Sequence, residues 1–174
     1  GLERMWNEDM GCYCNLRTDT GEFSPRLSPT LFYALFDPNV PEEHARRMAD
    51  GHYYNPKEFY GQWMMPAIAR SDPAYPDQDY WRGRVWPSTN FLAYAAIRSH
   101  KSLPDVQKDL AEHSVVLMMK EWNEHRHIHE NYNADTGEGC DVRNSDKFYH
   151  WGALLGLIGM LESGEVEGLL EPIN

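Results

Sequence analysis

Apolar residues recur at helical spacing through two long stretches of the chain and several shorter ones. In the polar segment that opens at LPDVQKDLAEH, the apolar positions are Val106, Leu110, Val115, Leu117, Met118, Met119 and Trp122. Pro104 sits where a first-turn proline is tolerated and Asp105 follows it, so the pattern predicts a long amphipathic helix. From Phe148 onward, Trp151, Leu154, Leu155, Ile158 and Leu161 repeat the spacing, with Gly152, Gly156 and Gly159 along the same segment. Each glycine inside a helix costs about 1 kcal/mol relative to alanine. Three in one segment therefore predict a backbone that packs closely on a neighbour.

SPTLFYALF, PEEHARRMAD and FYGQWMMPAIAR read as shorter helices separated by Pro, Asn and Gly, and WPSTNFLAYAAIRSH as another with Pro87 near its first turn. The final VEGLLEPIN reads as a short terminal helix or tail. Strand alternation is confined to one hairpin at CYCNLRTDTGEF, with Asp-Thr-Gly at its turn. Three long segments, 10–26, 71–85 and 126–146, remain as loops rich in aromatic and charged residues. Loops of that length in a compact chain are usually functional or disordered, and this composition favours order. The fold class is mostly α, built of helical hairpins with long ordered loops.

At 174 residues the chain is long enough for one domain with a real core, and 41% hydrophobic content is that of a globular protein. A net charge of −11 argues against nucleic acid and against an anionic membrane surface as partners. No window approaches the roughly 20 apolar residues of a membrane span. No charged-then-apolar leader is visible either, so a cytoplasmic location is expected. Cys12, Cys14 and Cys140 are an odd number without a Cys-x-x-Cys pair, which points to free thiols. Aromatic residues reach 13%, with six Trp and ten Tyr, suited to lining a sugar site but more often used to fill a core.

Three constellations carry candidate chemistry. The frame Asn-x-x-x-Asp-Thr-Gly-Glu occurs twice, at Asn15–Glu22 and at Asn131–Glu138. Paired Asp-Thr-Gly triplets suggest an aspartic protease, but that mechanism places its two aspartates on hydrophobic strands of a β-rich fold. Here polar residues precede both triplets in a helical chain, so both read as turns, with Gly in a left-handed conformation. In HRHIHE, the histidines His125, His127 and His129 alternate. They share a face only if the segment is extended, and no Cys or Asp at ligand spacing completes a site. The expectation is a helix end with basic side chains over its terminal carbonyls, and no metal. The third, DYWRGRVWPSTN, packs two tryptophans and two arginines around Gly83 ahead of a helix. This makes either an aromatic platform with a guanidinium fork or a loop stitched to the core by its tryptophans.

YWRGRVWPSTNFLAY resembles the Tyr-Trp-Arg-Gly-x-x-Trp-x-x-x-Asn stretch of glycoside hydrolase family 63, the processing α-glucosidases and their bacterial relatives. HENYNADTGEG followed by FYHWGALLGLIGML is similar to that family's closing segment, and EFYGQWMMPAIARSDPAY to its small-substrate bacterial members. The likeness spans about residues 4 to 162, with motifs in the family's order. Family 37 trehalases share the architecture and fit less well. The resemblance implies part of an (α/α)6 toroid of six helical hairpins, with the active site at one end among the long loops. It also implies an inverting α-glycosidase, in which one carboxyl protonates the leaving oxygen while a second activates water on the opposite face.

By motif, Glu130 matches the general base. Tyr80, Trp81, Arg82, Gly83 and Trp86 match sugar-binding positions, and Tyr132, Asn133 and Trp151 match residues around them. The family's general acid is an Asp well before the region matched here, and neither Asp79 nor Asp141 fits its motif. The whole chain, 1–174, therefore reads as one domain, the C-terminal portion of a six-hairpin catalytic domain whose N-terminal half is a missing partner. The isolated chain is expected to be inactive, and to self-associate through helix faces left open. No metal or organic cofactor is required; some relatives carry calcium, and no such ligand loop is evident. The alternative is a helical carbohydrate-binding or scaffold domain derived from such an enzyme.

Overall fold

The computed structural model describes residues 1–166; most of the terminal VEGLLEPIN segment lies outside them. Four α-helices carry the fold: α1 (Glu42–Met48), α2 (Pro87–Arg98), α3 (Pro104–His125) and α4 (Leu154–Ser163). α2 and α3 each begin on proline, whose fixed φ and missing N–H suit a first turn. α1 has Glu42 and Glu43 in its first turn and Arg46 and Arg47 in its last, matching the helix dipole. It runs on as a π-helical turn, Ala49–Tyr53. α3 stops at Arg126, in the left-handed region at φ 60°, whose N–H donates to the Trp122 carbonyl. Two short strands, β1 (Trp6–Asn7) and β2 (Cys12–Tyr13), pair antiparallel.

The glycines of α4 face α3, as their spacing predicts. A Cβ at Gly159 would stand 2.4 Å from Val115 Cγ2, and one at Gly156 2.8 Å from Met118 Sδ. The two helices therefore approach more closely than alanine permits. α2 packs on the 3-10 segment Pro29–Phe36. α3 runs beneath two clusters: its Val106, Leu110 and Ala111 enter the main core, and Leu117 enters a smaller one with Trp63, Tyr75, Val85, Tyr132, Ala134 and Leu155. That smaller cluster is the floor under the long loops.

Two predicted elements differ. FYGQWMMPAIAR is irregular and extended rather than helical. Pro66 supplies no N–H and biases Met65 away from helical ψ. The neighbouring backbone is answered from elsewhere: Met65 N–H donates to Asn90 Oδ1 (2.8 Å), and Ala67 N–H donates to the Arg84 carbonyl (2.8 Å). The hairpin at CYCNLRTDTGEF forms only at its distal end, where Leu16 bridges Phe23, because Cys12–Tyr13 pairs with Trp6–Asn7 instead.

Both Asp-Thr-Gly frames are turns of one form. In each, the third residue donates to the carbonyl of the closing Glu (Arg17 to Glu22 and Asn133 to Glu138, both 2.9 Å). The Gly N–H returns to the third residue's carbonyl (Gly21 to Arg17 and Gly137 to Asn133, both 2.8 Å), and both glycines have φ 73°. The threonine hydroxyl accepts from the glutamate N–H at 3.2 Å in both.

Candidate active site

Four extended pieces of chain meet above the smaller core cluster. Val85 and Tyr132 exchange both backbone hydrogen bonds (2.7 and 2.9 Å), and Pro66 bridges Val85 on its other side. Glu130 N–H donates to the Asp146 carbonyl (2.9 Å) and Phe148 N–H to that of Ile128 (2.7 Å). The segment carrying Glu130 is thus held along both edges, by 84–85 and by 146–148.

The loop before α2 folds into a tight return in which Asp79 and Arg82 bond each other's backbone (3.1 and 2.8 Å), with Tyr80 and Trp81 at its tip. Tyr80 takes φ 49° and Gly83 φ 102°, where a Cβ would meet the Tyr75 carbonyl oxygen at 2.4 Å. Only glycine fits there. Trp81 stacks on Trp86 at 3.8 Å between ring centroids and 14° between planes, and Tyr80 and Trp151 meet Trp86 edge-on at 4.9 and 6.1 Å. Trp86 is fully buried and its indole N–H is spent on the Tyr80 carbonyl (2.9 Å), whereas Trp81 and Tyr80 remain 45% and 39% exposed. Trp86 is the hub, and Trp81 and Tyr80 are the exposed rings packed around it.

The segment that carries Glu130 is tied to this group through its neighbours. Val85 precedes Trp86 and pairs with Tyr132, two residues past Glu130. Gly152, next to Trp151, packs so closely on the residue before Glu130 that a Cβ would stand 2.6 Å from the His129 carbonyl oxygen. Glu130 itself is 8% exposed, and no described residue hydrogen-bonds its carboxylate. Burial, and secondarily the Asp146 carboxylate, push its carboxyl above the ordinary glutamate range.

The other candidate residues divide by role. Arg82 is half-exposed and paired with Asp77 (2.8 Å) and Asp79 (2.6 Å). Tyr132 is fully buried with its hydroxyl accepting from His129 N–H (2.9 Å), and so underlies the site. The Asn133 side chain caps the Asp-Thr-Gly turn, accepting from Asp135 N–H (2.9 Å), and donates to Asp141 (2.8 Å). Asp141 is held by Arg84. Burial works to raise the Asp141 carboxyl, and the hydrogen bonds from Arg84 and Asn133 outweigh it, leaving it below the usual range. A group kept ionised is poorly suited to donate a proton. Asp79 is likewise engaged, by Arg82 and by Asn144 (2.7 Å).

Sequence reasoning missed the buried network that joins Arg84 to Asn131 and Gln78. Arg84 is fully buried, and its five N–H groups meet five acceptors: Asn131 Oδ1, the Gln78 and Glu138 carbonyls, and both Asp141 oxygens. No donor is left for a substrate carboxylate. The signal was present only as a second arginine in Trp-Arg-Gly-Arg; apart from Gln78, its partners lie 47 to 57 residues away.

The histidine run also differs from expectation. α3 ends at His125, so His127 and His129 follow it in extended chain rather than lying over its carbonyls, and Cys140 completes a cluster with Glu121. Among the described residues no helix is long and apolar enough to cross a membrane.

Residues 1–151 match the model of the mannosylglycerate hydrolase MGH1-like glycoside hydrolase domain. The mannosylglycerate hydrolase of Thermus thermophilus is 25% identical over 158 residues, covering 90% of this chain and 35% of that protein. The mannosyl-oligosaccharide glucosidase of Saccharomyces cerevisiae is 25% identical over 176 residues, covering 86% of this chain and 20% of that one. The chain thus spans about a third or less of the curated relatives it matches. The crystal structure of the family 63 mannosylglycerate hydrolase from Thermus thermophilus in complex with Tris and D-glycerate superposes with TM-score 0.74 at 23% identity, over 91% of this chain and 35% of that one. Neutral trehalase from Saccharomyces cerevisiae gives 0.69 at 19% identity, over 92% and 28%. The fold is that of part of an (α/α)6 toroid.

Proposed function

The chain belongs to the mannosylglycerate hydrolase MGH1-like glycoside hydrolase family, and from that membership we propose that it forms the C-terminal portion of an inverting α-glycosidase domain with Glu130 as general base. The observation that carries this reading is Glu130 itself: nine-tenths buried, its carboxylate free of hydrogen bonds from described residues, on a segment whose neighbours are tied by backbone contact to the pieces of chain that carry Trp86 and Trp151. Such a carboxylate can accept a proton from a water positioned under the anomeric carbon. A base works best with a pKa near the working pH, and burial moves Glu130 in that direction.

In the proposed reaction the sugar lies against Trp81 and Tyr80, with Arg82 at the rim and Trp151 closing the platform behind. Glu130 takes the proton of the attacking water while a carboxylic acid on the other side protonates the departing oxygen, the two about 6.5–9.5 Å apart. Asp79 and Asp141 are both committed to arginines, so the acid is assigned to the N-terminal part of the domain. The substrate is a small α-glycoside, of the class to which sugar–glycerate conjugates belong. If its aglycone is anionic, Arg82 is the arginine of this loop with donors to spare.

The test uses the full-length protein. Glu130→Gln should lower kcat on an aryl α-glycoside by about 10²–10⁴ while binding is kept, and the first product observed by NMR should be the β-anomer. Unchanged kcat would remove Glu130 from the chemistry, and retained configuration would remove the mechanism. Sugar binding without turnover in the full-length protein would favour the alternative of a carbohydrate-binding domain, which the commitment of both candidate acids otherwise recommends.

A further inference from the structure

We propose that Glu121, His127, His129 and Cys140 form a binding site for a zinc-class divalent metal ion, independent of the glycosidase reading. One ligand atom from each of the four lies within 4.8 Å of all the others. His129 Nε2 is 3.2 Å from Cys140 Sγ and 3.6 Å from Glu121 Oε1, and Cys140 Sγ is 3.8 Å from Glu121 Oε1. Bond lengths of about 2.3 Å to sulfur and about 2.0–2.1 Å to nitrogen and oxygen, at tetrahedral angles, place ligand atoms about 3.3–3.6 Å apart. The observed triangle needs only tenths of an ångström of adjustment.

Three further observations point the same way. His129 Nδ1 lies 3.2 Å from the Ser145 carbonyl oxygen, which fixes the ring proton there and leaves the Nε2 lone pair facing the cluster. Metal-bound histidines are commonly oriented in this way. His127 is 8% exposed, and its Nδ1 is buried with no hydrogen-bond partner. Glu121 is fully buried, with a Gly139 N–H at 3.2 Å and the Cys140 thiol as its hydrogen-bond donors. A buried carboxylate demands a compensating charge. The nearby Lys120 is instead paired with Glu124 (2.8 Å) and Glu138 (3.6 Å). His125 and Glu138, 3.1 Å apart, form a second set with Glu121 and Cys140 and stand at the margin.

The donor set selects the ion. A thiolate and imidazoles favour zinc and its first-row neighbours over magnesium or calcium, which take oxygen ligands. Binding would tie the last turns of α3 to the turn at 139–140 and to the segment entering Glu130, cross-linking the 126–146 loop to the helix that leads into it.

The test is cobalt titration of the chelator-stripped, reduced full-length protein. Expected are a near-ultraviolet thiolate-to-cobalt charge-transfer band and visible bands of a four-coordinate site, saturating at one equivalent and lost on adding one equivalent of zinc. Cys140→Ser, at an exposed position, should abolish the near-ultraviolet band, and His127→Asn should weaken cobalt binding by about 100-fold or more. Absence of the band in the wild-type protein would overturn the proposal. So would a band retained in folded Cys140→Ser, which would assign it to Cys12 and Cys14, whose sulfurs lie 3.5 Å apart.

Discussion

Arg84 and Asp141 meet through two parallel hydrogen bonds, 2.8 and 3.2 Å, with the guanidinium fully buried and the carboxylate one-quarter exposed. The pair fastens the loop before α2 to the loop after Glu130. Removing one partner strands the other, at about 3–5 kcal/mol. Asp141→Asn and Arg84→Lys should each lower the free energy of unfolding in urea by that measure, because an amide lacks the charge that the guanidinium pairs with and lysine has neither the fork nor the five donors. A change below about 1 kcal/mol would show that the clamp contributes little.

Trp81 and Trp86 stack on each other yet should answer mutation differently. Trp86→Ala empties a fully buried site and should cost about 3–5 kcal/mol in stability. Trp81→Ala removes an exposed ring, so the melting temperature should barely move while KM for a glycoside rises several-fold. Equal effects on both measurements in the two variants would remove the distinction between hub and platform.

Asp105, in the first turn of α3, accepts from Arg46 Nη1 (2.9 and 3.0 Å) and from the Tyr54 hydroxyl (3.0 Å). Burial alone would raise its carboxyl, and these hydrogen bonds reverse the sign and lower it. A depressed folded-state pKa means stability present above the unfolded value, about 3.9, and lost as pH falls through the folded value. Wild-type and Asp105→Asn proteins should therefore differ in urea midpoint at about pH 5, and the gap should narrow as the pH falls below the unfolded value. A gap independent of pH would assign the effect to packing.

Val116, Met119 and Trp122 lie three residues apart on one face of α3 and are 53%, 39% and 45% exposed. An apolar stripe of this kind usually finds a partner. The isolated chain should self-associate in light scattering, and Val116→Glu with Met119→Glu should return it to the monomer. A monomeric wild-type chain at high concentration would count against this expectation.

What the sequence disclosed and what it hid follow from range. Helices α2, α3 and α4 were legible because apolar spacing, Pro87, Pro104 and the α4 glycines act within a few residues. The turns at Asp19 and Asp135 were legible for the same reason. FYGQWMMPAIAR was misread because its extended form depends on Asn90 and Arg84, about 20 residues away, and local apolar spacing imitates a helix. The commitment of Arg84, the interior position of Tyr132 and the meeting of Cys140 with His129 and Glu121 all depend on how the 126–146 loop returns on itself. No local pattern encodes that return.

The two Asp-Thr-Gly turns share the two backbone hydrogen bonds and the threonine hydroxyl bond that close them, yet they live in different surroundings. At Gly21 nothing stands within 4 Å of where a Cβ would be, while at Gly137 the Trp63 ring is 2.7 Å away, and Asp135 is gripped by Arg70 and Tyr75. The shape is written in the eight residues themselves, and the neighbours arrive afterwards. The frame is thus a portable corner, able to hold an exposed flap in one place and to aim the chain beyond Glu130 in another.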